Sequence, residues 1–134
     1  MYSFRKSKKG FTLIELMVVV AIIGVLSLLG LRLYTGQQDK AKNAIVKANV
    51  GTVQTLIQAE FADNQNQTLN EARALGLTGG LRNPYTGNAM VAAQFSAASI
   101  GGVLVTGATG GPFTIQGYGK TAATLVGDAL TAQK

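Results

Sequence analysis

Glu15 is the one ionisable residue in an apolar run that extends from Phe11 to Leu31, and the chemistry open to it is narrow. The protein has no cysteine and no histidine, so disulfide frameworks, thiolate zinc sites, cysteine nucleophiles and imidazole acid-base chemistry are excluded. What remains for a carboxylate in apolar surroundings is to neutralise a cation. An acid or base at the centre of a membrane helix costs about 2.5 to 3.5 kcal/mol or more, and such groups rarely stand without a partner. Arg32 is the first base after Glu15, but it lies about 25 Å further along a helix, beyond reach within one chain. Two outlets are left. The carboxylate snorkels to headgroups from its place near the end of the run, or its partner belongs to another chain.

Other constellations carry less. Gly107-Ala108-Thr109-Gly110-Gly111 has the glycine content of a phosphate loop, but no Lys-Ser or Lys-Thr follows it, which makes it a loop. Asn66-Gln67-Thr68 fits the N-glycosylation triplet and is read as an unmodified loop. Asp63, Glu71 and Asp128 are scattered acids, read as solvated rather than as a calcium set; no metal and no cofactor is expected. Lys40, Lys42, Lys47, Arg73, Arg82, Lys120 and Lys134 would multiply into a DNA-binding groove if the chain were repeated in a polymer. No aromatic residues interleave with them, so solvated or intersubunit roles are the stronger reading and DNA the weaker one. Phe11, Tyr34 and Phe61 are too sparse to argue for electron transport.

The elements that must position Glu15 follow from charge and hydropathy. The chain of 134 residues has room for one modest core, and its net charge of +6 is concentrated at the start, where Arg5, Lys6, Lys8 and Lys9 precede the apolar run. From Phe11 to Leu31 a helix rises roughly 30 Å, the thickness of a bilayer's hydrocarbon core. A transmembrane helix over 11–33 is therefore expected, with the basic start in the cytoplasm and the rest outside. A secretory signal peptide shares the basic-then-apolar pattern, but the run is too long for its core and no suitably spaced pair of small residues follows.

Lys9-Gly10-Phe11-Thr12-Leu13-Ile14-Glu15-Leu16 resembles the class III signal sequence of type IV prepilins. The resemblance implies a leader of residues 1–10, cut between Gly10 and Phe11 by a membrane-embedded prepilin peptidase that also methylates the Phe11 amine. It implies that the Glu15 carboxylate pairs with the Phe11 amine of a neighbouring subunit, removing two charges that neither chain buries comfortably alone. Implied partners are further copies in a helical filament, the peptidase and an inner-membrane assembly platform. The implied locations are the cytoplasmic membrane before assembly and a surface pilus after it. Family members that start filaments often lack this acid, so its presence fits a subunit that stacks on another.

Beyond the run, Val46, Val50, Val53, Ile57 and Phe61 recur at helical spacing, with Ala41, Ala44, Ile45 and Ala48 beside them. The helix should continue as an amphipathic half over 34–64, its polar face carrying Gln38, Lys40, Lys42, Asn43, Lys47 and Asn49, and end between Ala62 and Asn66. Gly24 and Gly30 either loosen the helix or allow close packing. Many pilins carry a proline shortly after this point, where this chain has Arg32.

Residues 65–134 read as a loop-rich head with a three- to four-stranded antiparallel sheet. A short helix is expected over Leu69–Leu77 and a turn over Arg82-Asn83-Pro84-Tyr85-Thr86-Gly87-Asn88, similar to a loop of many pilins and pseudopilins. Strands are expected over Ala89–Ala92, Gly102–Thr106, Phe113–Tyr118 and Thr124–Val126, with Phe113, Ile115 and Gly117 on one face. So small a sheet needs the amphipathic half-helix as its second layer, which makes the fold class α+β. The terminal disulfide loop of many pilins is missing.

The resemblance implies a structural subunit of a type IV pilus, serving adhesion, twitching motility or DNA uptake, and no enzyme. A pseudopilin of a type II secretion system is the second reading, although Asn83 stands where that group usually has an aspartate. A single-pass membrane protein with an outer binding domain is the third, and no residues supply it with a site.

Overall fold

From Leu13 to Leu31 only Glu15, Met17, Gly24, Ser27 and Gly30 interrupt a run of leucine, isoleucine, valine and alanine, and a helix is the one local structure that satisfies every backbone group of such a segment in an apolar setting. The computed structural model, which describes residues 10–63, 80–107 and 112–132, contains that helix, α1, over Leu13–Asp63. The remaining described elements are a single helical turn, α2 (Ala93–Ser96), and three strands: β1 (Val103–Gly107), β2 (Phe113–Tyr118) and β3 (Leu125–Ala132). Residues 1–9 of the expected leader, the Leu69–Leu77 helix, the Asn66–Thr68 triplet, residues 108–111 of the glycine loop, Glu71, Arg73 and Lys134 lie outside the described residues.

The chain divides into two units, Met1–Gln37 and Gln38–Lys134. In the first, every described residue is exposed, so nothing among the described residues covers its leucines, isoleucines and valines. By length and composition this helix is apolar enough to cross a membrane.

In the second unit the helical periodicity does its work. Val46, Val50, Val53, Ile57 and Phe61, all expected on one stripe, are the buried apolar residues of α1, and each such side chain contributes about 1.5 to 3 kcal/mol on full burial. They meet the inner face of a sheet ordered β1-β2-β3, antiparallel throughout. Val105 pairs with Ile115 and Ile115 with Leu130, so inward residues align across the strands. Phe61 stacks on Phe113 with ring centroids 5.0 Å apart. Gly117, on the same face as Phe113 and Ile115, leaves room for the helix: a Cβ there would lie 2.7 Å from Val46 and 2.9 Å from Val50.

Four expectations need correction. Ala89–Ala92 is not a strand; Ala89 makes one isolated bridge with Arg82, and the chain then turns into α2. The alanines there favour helix, Gln94 Oε1 accepts from the Val91 N–H at 3.1 Å, and Phe95 is driven fully into the core. The last strand runs to Ala132 rather than stopping at Val126. At Gly127 a positive φ of 72° lets the backbone pass a register shift opposite Ile115 and Gly117, after which pairing resumes. Asn49, assigned to the polar face of α1, is buried; its Nδ2 donates to the Arg82 carbonyl at 3.0 Å and lies 3.9 Å from Met90 Sδ. Ala41, Ala44, Ile45 and Ala48, placed beside the apolar stripe, are exposed.

Candidate functional site

The start of α1 is built by a reciprocal pair of hydrogen bonds. Thr12 immediately precedes the first helical residue and Glu15 follows three residues later, the spacing of a capping box. The Glu15 N–H donates to Thr12 Oγ1 at 3.3 Å, while Glu15 Oε2 accepts from the Thr12 N–H at 2.8 Å and from the Thr12 hydroxyl at 3.0 Å. Two otherwise orphaned donors are thereby satisfied, and the acid sits where the helix dipole favours it. Seeking a partner for Glu15 among the bases overlooked this local one. Thr12 is the residue that sequence reasoning missed, and the Thr-x-x-Glu spacing ahead of an apolar run is the signal that reveals it.

Glu15 Oε1 has no partner among the described residues, so one carboxylate oxygen secures the helix end and the other remains open. Gly10 and Phe11 precede the helix, both exposed. The structure therefore brings Phe11, Thr12 and Glu15 together at one end of α1. Gly24 and Gly30 lie elsewhere on the helix, and a Cβ at either would meet nothing within 4 Å; no packing among the described residues requires glycine at those positions.

A second constellation joins loop to helix in the larger unit. Asn83 is fully buried in the Arg82–Asn88 turn. Its Nδ2 donates to the Ile100 carbonyl at 2.7 Å, and its Oδ1 accepts from the Tyr85 and Thr86 N–H groups at 2.9 and 3.3 Å. Both ends of the amide are thus used, as the burial of a polar side chain demands. Gly101, at φ 65°, makes room for it: a Cβ there would come within 2.3 Å of Asn83 Oδ1. Tyr85, set by this turn, donates its hydroxyl to Asn43 Oδ1 of α1 at 2.7 Å, and the Lys42 ammonium lies 5.2 Å from the ring centroid. Lys120 Nζ reaches Asp39 Oδ2 at 3.1 Å. Loss of solvation, then the Asp39 carboxylate, pushes the Tyr85 hydroxyl above its ordinary pKa, with Lys120 pulling the other way.

These contacts bear on the basic residues. Lys42, Lys120 and Arg82, whose Nη1 donates to the Gly87 carbonyl at 3.2 Å, are each engaged inside the chain, so they do not present an uncommitted cationic row. Asp63 and Asp128 take part in no group of three or more potential metal ligands among the described residues.

A capped helix, apolar and uncovered along its first half and continuing into a stripe that packs on a three-stranded sheet, defines a class: α+β heads carried on a long N-terminal helix of membrane-crossing length. The family described as the prokaryotic N-terminal methylation motif matches residues 5–31. Fimbrial protein EcpB of Eikenella corrodens is 35% identical over 85 residues, 58% of this chain and 54% of that protein. Fimbrial protein Q of Moraxella bovis is 32% identical over 108 residues, 76% of this chain and 65% of that protein. Type II secretion system core protein G of Klebsiella michiganensis is 33% identical over 67 residues, 50% of this chain and 47% of that protein. The chain thus spans between 47% and 65% of the length of these relatives. No solved structure matches it significantly. The chain is thus similar to fimbrial proteins and to type II secretion core proteins, and its start carries the prokaryotic N-terminal methylation motif.

Proposed function

We propose that this chain is a structural subunit of a type IV pilus, made as a membrane-anchored precursor and polymerised through α1. Residues 1–10 are the leader, removed between Gly10 and Phe11 by a prepilin peptidase that methylates the new Phe11 amine. Residues 11–33 hold the precursor in the cytoplasmic membrane with the leader inside, 34–64 carry the amphipathic half-helix, and 65–134 form the head. On an assembly platform the Phe11 amine of one subunit meets Glu15 of its neighbour, and the filament that grows outside the cell serves adhesion, twitching motility or DNA uptake.

The observation that carries this reading is the open oxygen of Glu15 at the end of α1, whose apolar first half is exposed at every residue. Cleavage after Gly10 would free an ammonium one residue before Thr12. That ammonium and the Glu15 carboxylate are the two charges a packed apolar bundle must cancel. Fimbrial relatives add support.

Relatives among type II secretion core proteins keep a second reading, a pseudopilin with the same leader and helix. Expression of the full-length chain with a prepilin peptidase and measurement of its intact mass test the first step. A mass matching Phe11 at the amino terminus plus one methyl is expected. Sheared surface material should contain filaments that vanish with Glu15→Ala. An uncut chain would sink both readings, whereas cleavage without surface filaments would shift the weight to the pseudopilin.

A further inference from the structure

Arg32 is the one basic residue between Phe11 and Gln38, and it stands exposed among the exposed Leu29, Leu31 and Leu33. Its carbonyl accepts from the Thr35 hydroxyl at 3.0 Å, but its guanidinium has no partner among the described residues. In a bilayer such a side chain, close to the end of the span, reaches the headgroups. When α1 packs against α1 in a polymer those headgroups are left behind, and an always-charged guanidinium among leucines needs an anion from the facing chain.

Axial register selects that anion. Placing the Phe11 amine of one copy beside Glu15 of the next demands a stagger of four residues. This is about 6 Å if all are helical and about 10 Å if Phe11 and Thr12 are extended, since α1 begins at Leu13. The same stagger brings Arg32 of the advanced copy level with Gly36 to Asp39 of the copy behind. Glu60 and Asp63, the next acids along α1, lie about 30 Å or more beyond Asp39, and Glu15 lies about 25 Å from Arg32 in the opposite direction. Asp39 is moreover prepared for a second cation. Its side chain is 40% exposed, Lys120 holds Oδ2, and Oδ1 has no partner among the described residues.

We propose that Arg32 of each subunit donates to Asp39 Oδ1 of its neighbour, an interchain ion pair in the same register as Phe11 and Glu15. Lys120 acts as a positioning residue that fixes the Asp39 carboxylate. This inference rests on the filament reading above, and its partner is a second copy of this chain.

The test inverts the charges in stages in the full-length, peptidase-processed protein. Asp39→Lys with Lys120→Asp keeps a bridge within the head but turns the surface facing Arg32 positive. Surface filaments should fall at least about tenfold, with an unchanged thermal melt of the detergent-solubilised chain. Adding Arg32→Glu should restore filaments to within about twofold of wild type, because the interchain pair is then rebuilt with opposite signs. Arg32→Glu alone leaves the head untouched and should also suppress filaments. Wild-type yield from Arg32→Glu, wild-type yield from the inverted head, or a loss that the third change does not relieve would each overturn the pair. Wild-type protein that is processed but forms no filaments at all would instead remove the filament reading and the pair with it.

Discussion

Asn83 is chosen for having two different ends. A carboxylate in its place would keep the oxygen that accepts from the Tyr85 and Thr86 N–H groups, but it would turn a second oxygen toward the Ile100 carbonyl, where the amide now donates at 2.7 Å. In a fully buried position that repulsion is not screened, so Asn83→Asp should destabilise the head by about 2 to 4 kcal/mol at neutral pH. Protonation restores a donor, so the deficit should shrink in acid, whereas Asn83→Ala should lose stability without that recovery. Thermal melts of the detergent-solubilised chain from pH 4 to pH 8 distinguish the two. Tyr85 gives the opposite pH signature. Its raised pKa means that the folded state holds the phenolic proton more tightly than the unfolded state does. Its contribution is therefore complete below the ordinary tyrosine value of 10.0 and declines as pH rises through the higher folded value. Tyr85→Phe should cost about 1 kcal/mol near neutral pH through the lost Asn43 bond and flatten the decline above pH 10. A decline of equal steepness in the Tyr85→Phe protein would show that Tyr85 is not its cause.

Among the elements, the helix was legible because its information is periodic and redundant. Five residues from Val46 to Phe61 repeat at helical spacing, and any one could be polar without hiding the stripe. β2 was legible for the same reason, from the alternation of Phe113, Ile115 and Gly117. β3 and α2 were not, because their identity depends on distant partners: Gly127 looks like a terminator unless β2 lies alongside to be bulged against, and the alanines near α2 have no periodicity to read. Asn49 was placed on the polar face and Asn83 in a turn, and the burial of both was missed because a sequence does not show which carbonyl will face them. The site was half visible. Glu15 stood out as a charge in an apolar run, whereas Thr12 did not, since a hydroxyl in such a run carries no penalty that draws notice. Gly117 was placed on the inward face, yet only the helix shows why it must be glycine. Gly117→Ala should cost about 1 to 3 kcal/mol through overpacking against Val46 and Val50. Combining it with Val50→Ala should cost less than the sum of the two single changes. Strict additivity in a double-mutant cycle measured by chemical denaturation would show that helix and strand separate to absorb the methyl.

For the whole molecule, the question raised by the capping box is whether Glu15 serves its own chain or its neighbour. The Glu15→Ala variant removes both roles and does not separate them. Glu15→Gln does, because glutamine at the third helical position supports a capping box through the same side-chain oxygen while carrying no charge for an ammonium. If the Thr12 contacts at 2.8 and 3.0 Å are the whole purpose of the acid, Glu15→Gln should polymerise like wild type and Thr12→Ala should fail. On the proposed interchain role the order reverses. Thr12→Ala loses about 1 kcal/mol of helix-end stability and leaves the charge in place, so filaments persist, whereas Glu15→Gln is processed normally but leaves the Phe11 ammonium uncompensated among apolar side chains. An unpaired charge of that kind costs about 3 to 5 kcal/mol in a buried setting. Every interface in the polymer repeats it, so a per-subunit penalty of that size abolishes growth rather than slowing it. Counting filaments by electron microscopy for the two variants side by side, with intact mass confirming cleavage and methylation in each, decides between a residue that ends a helix and one that joins subunits.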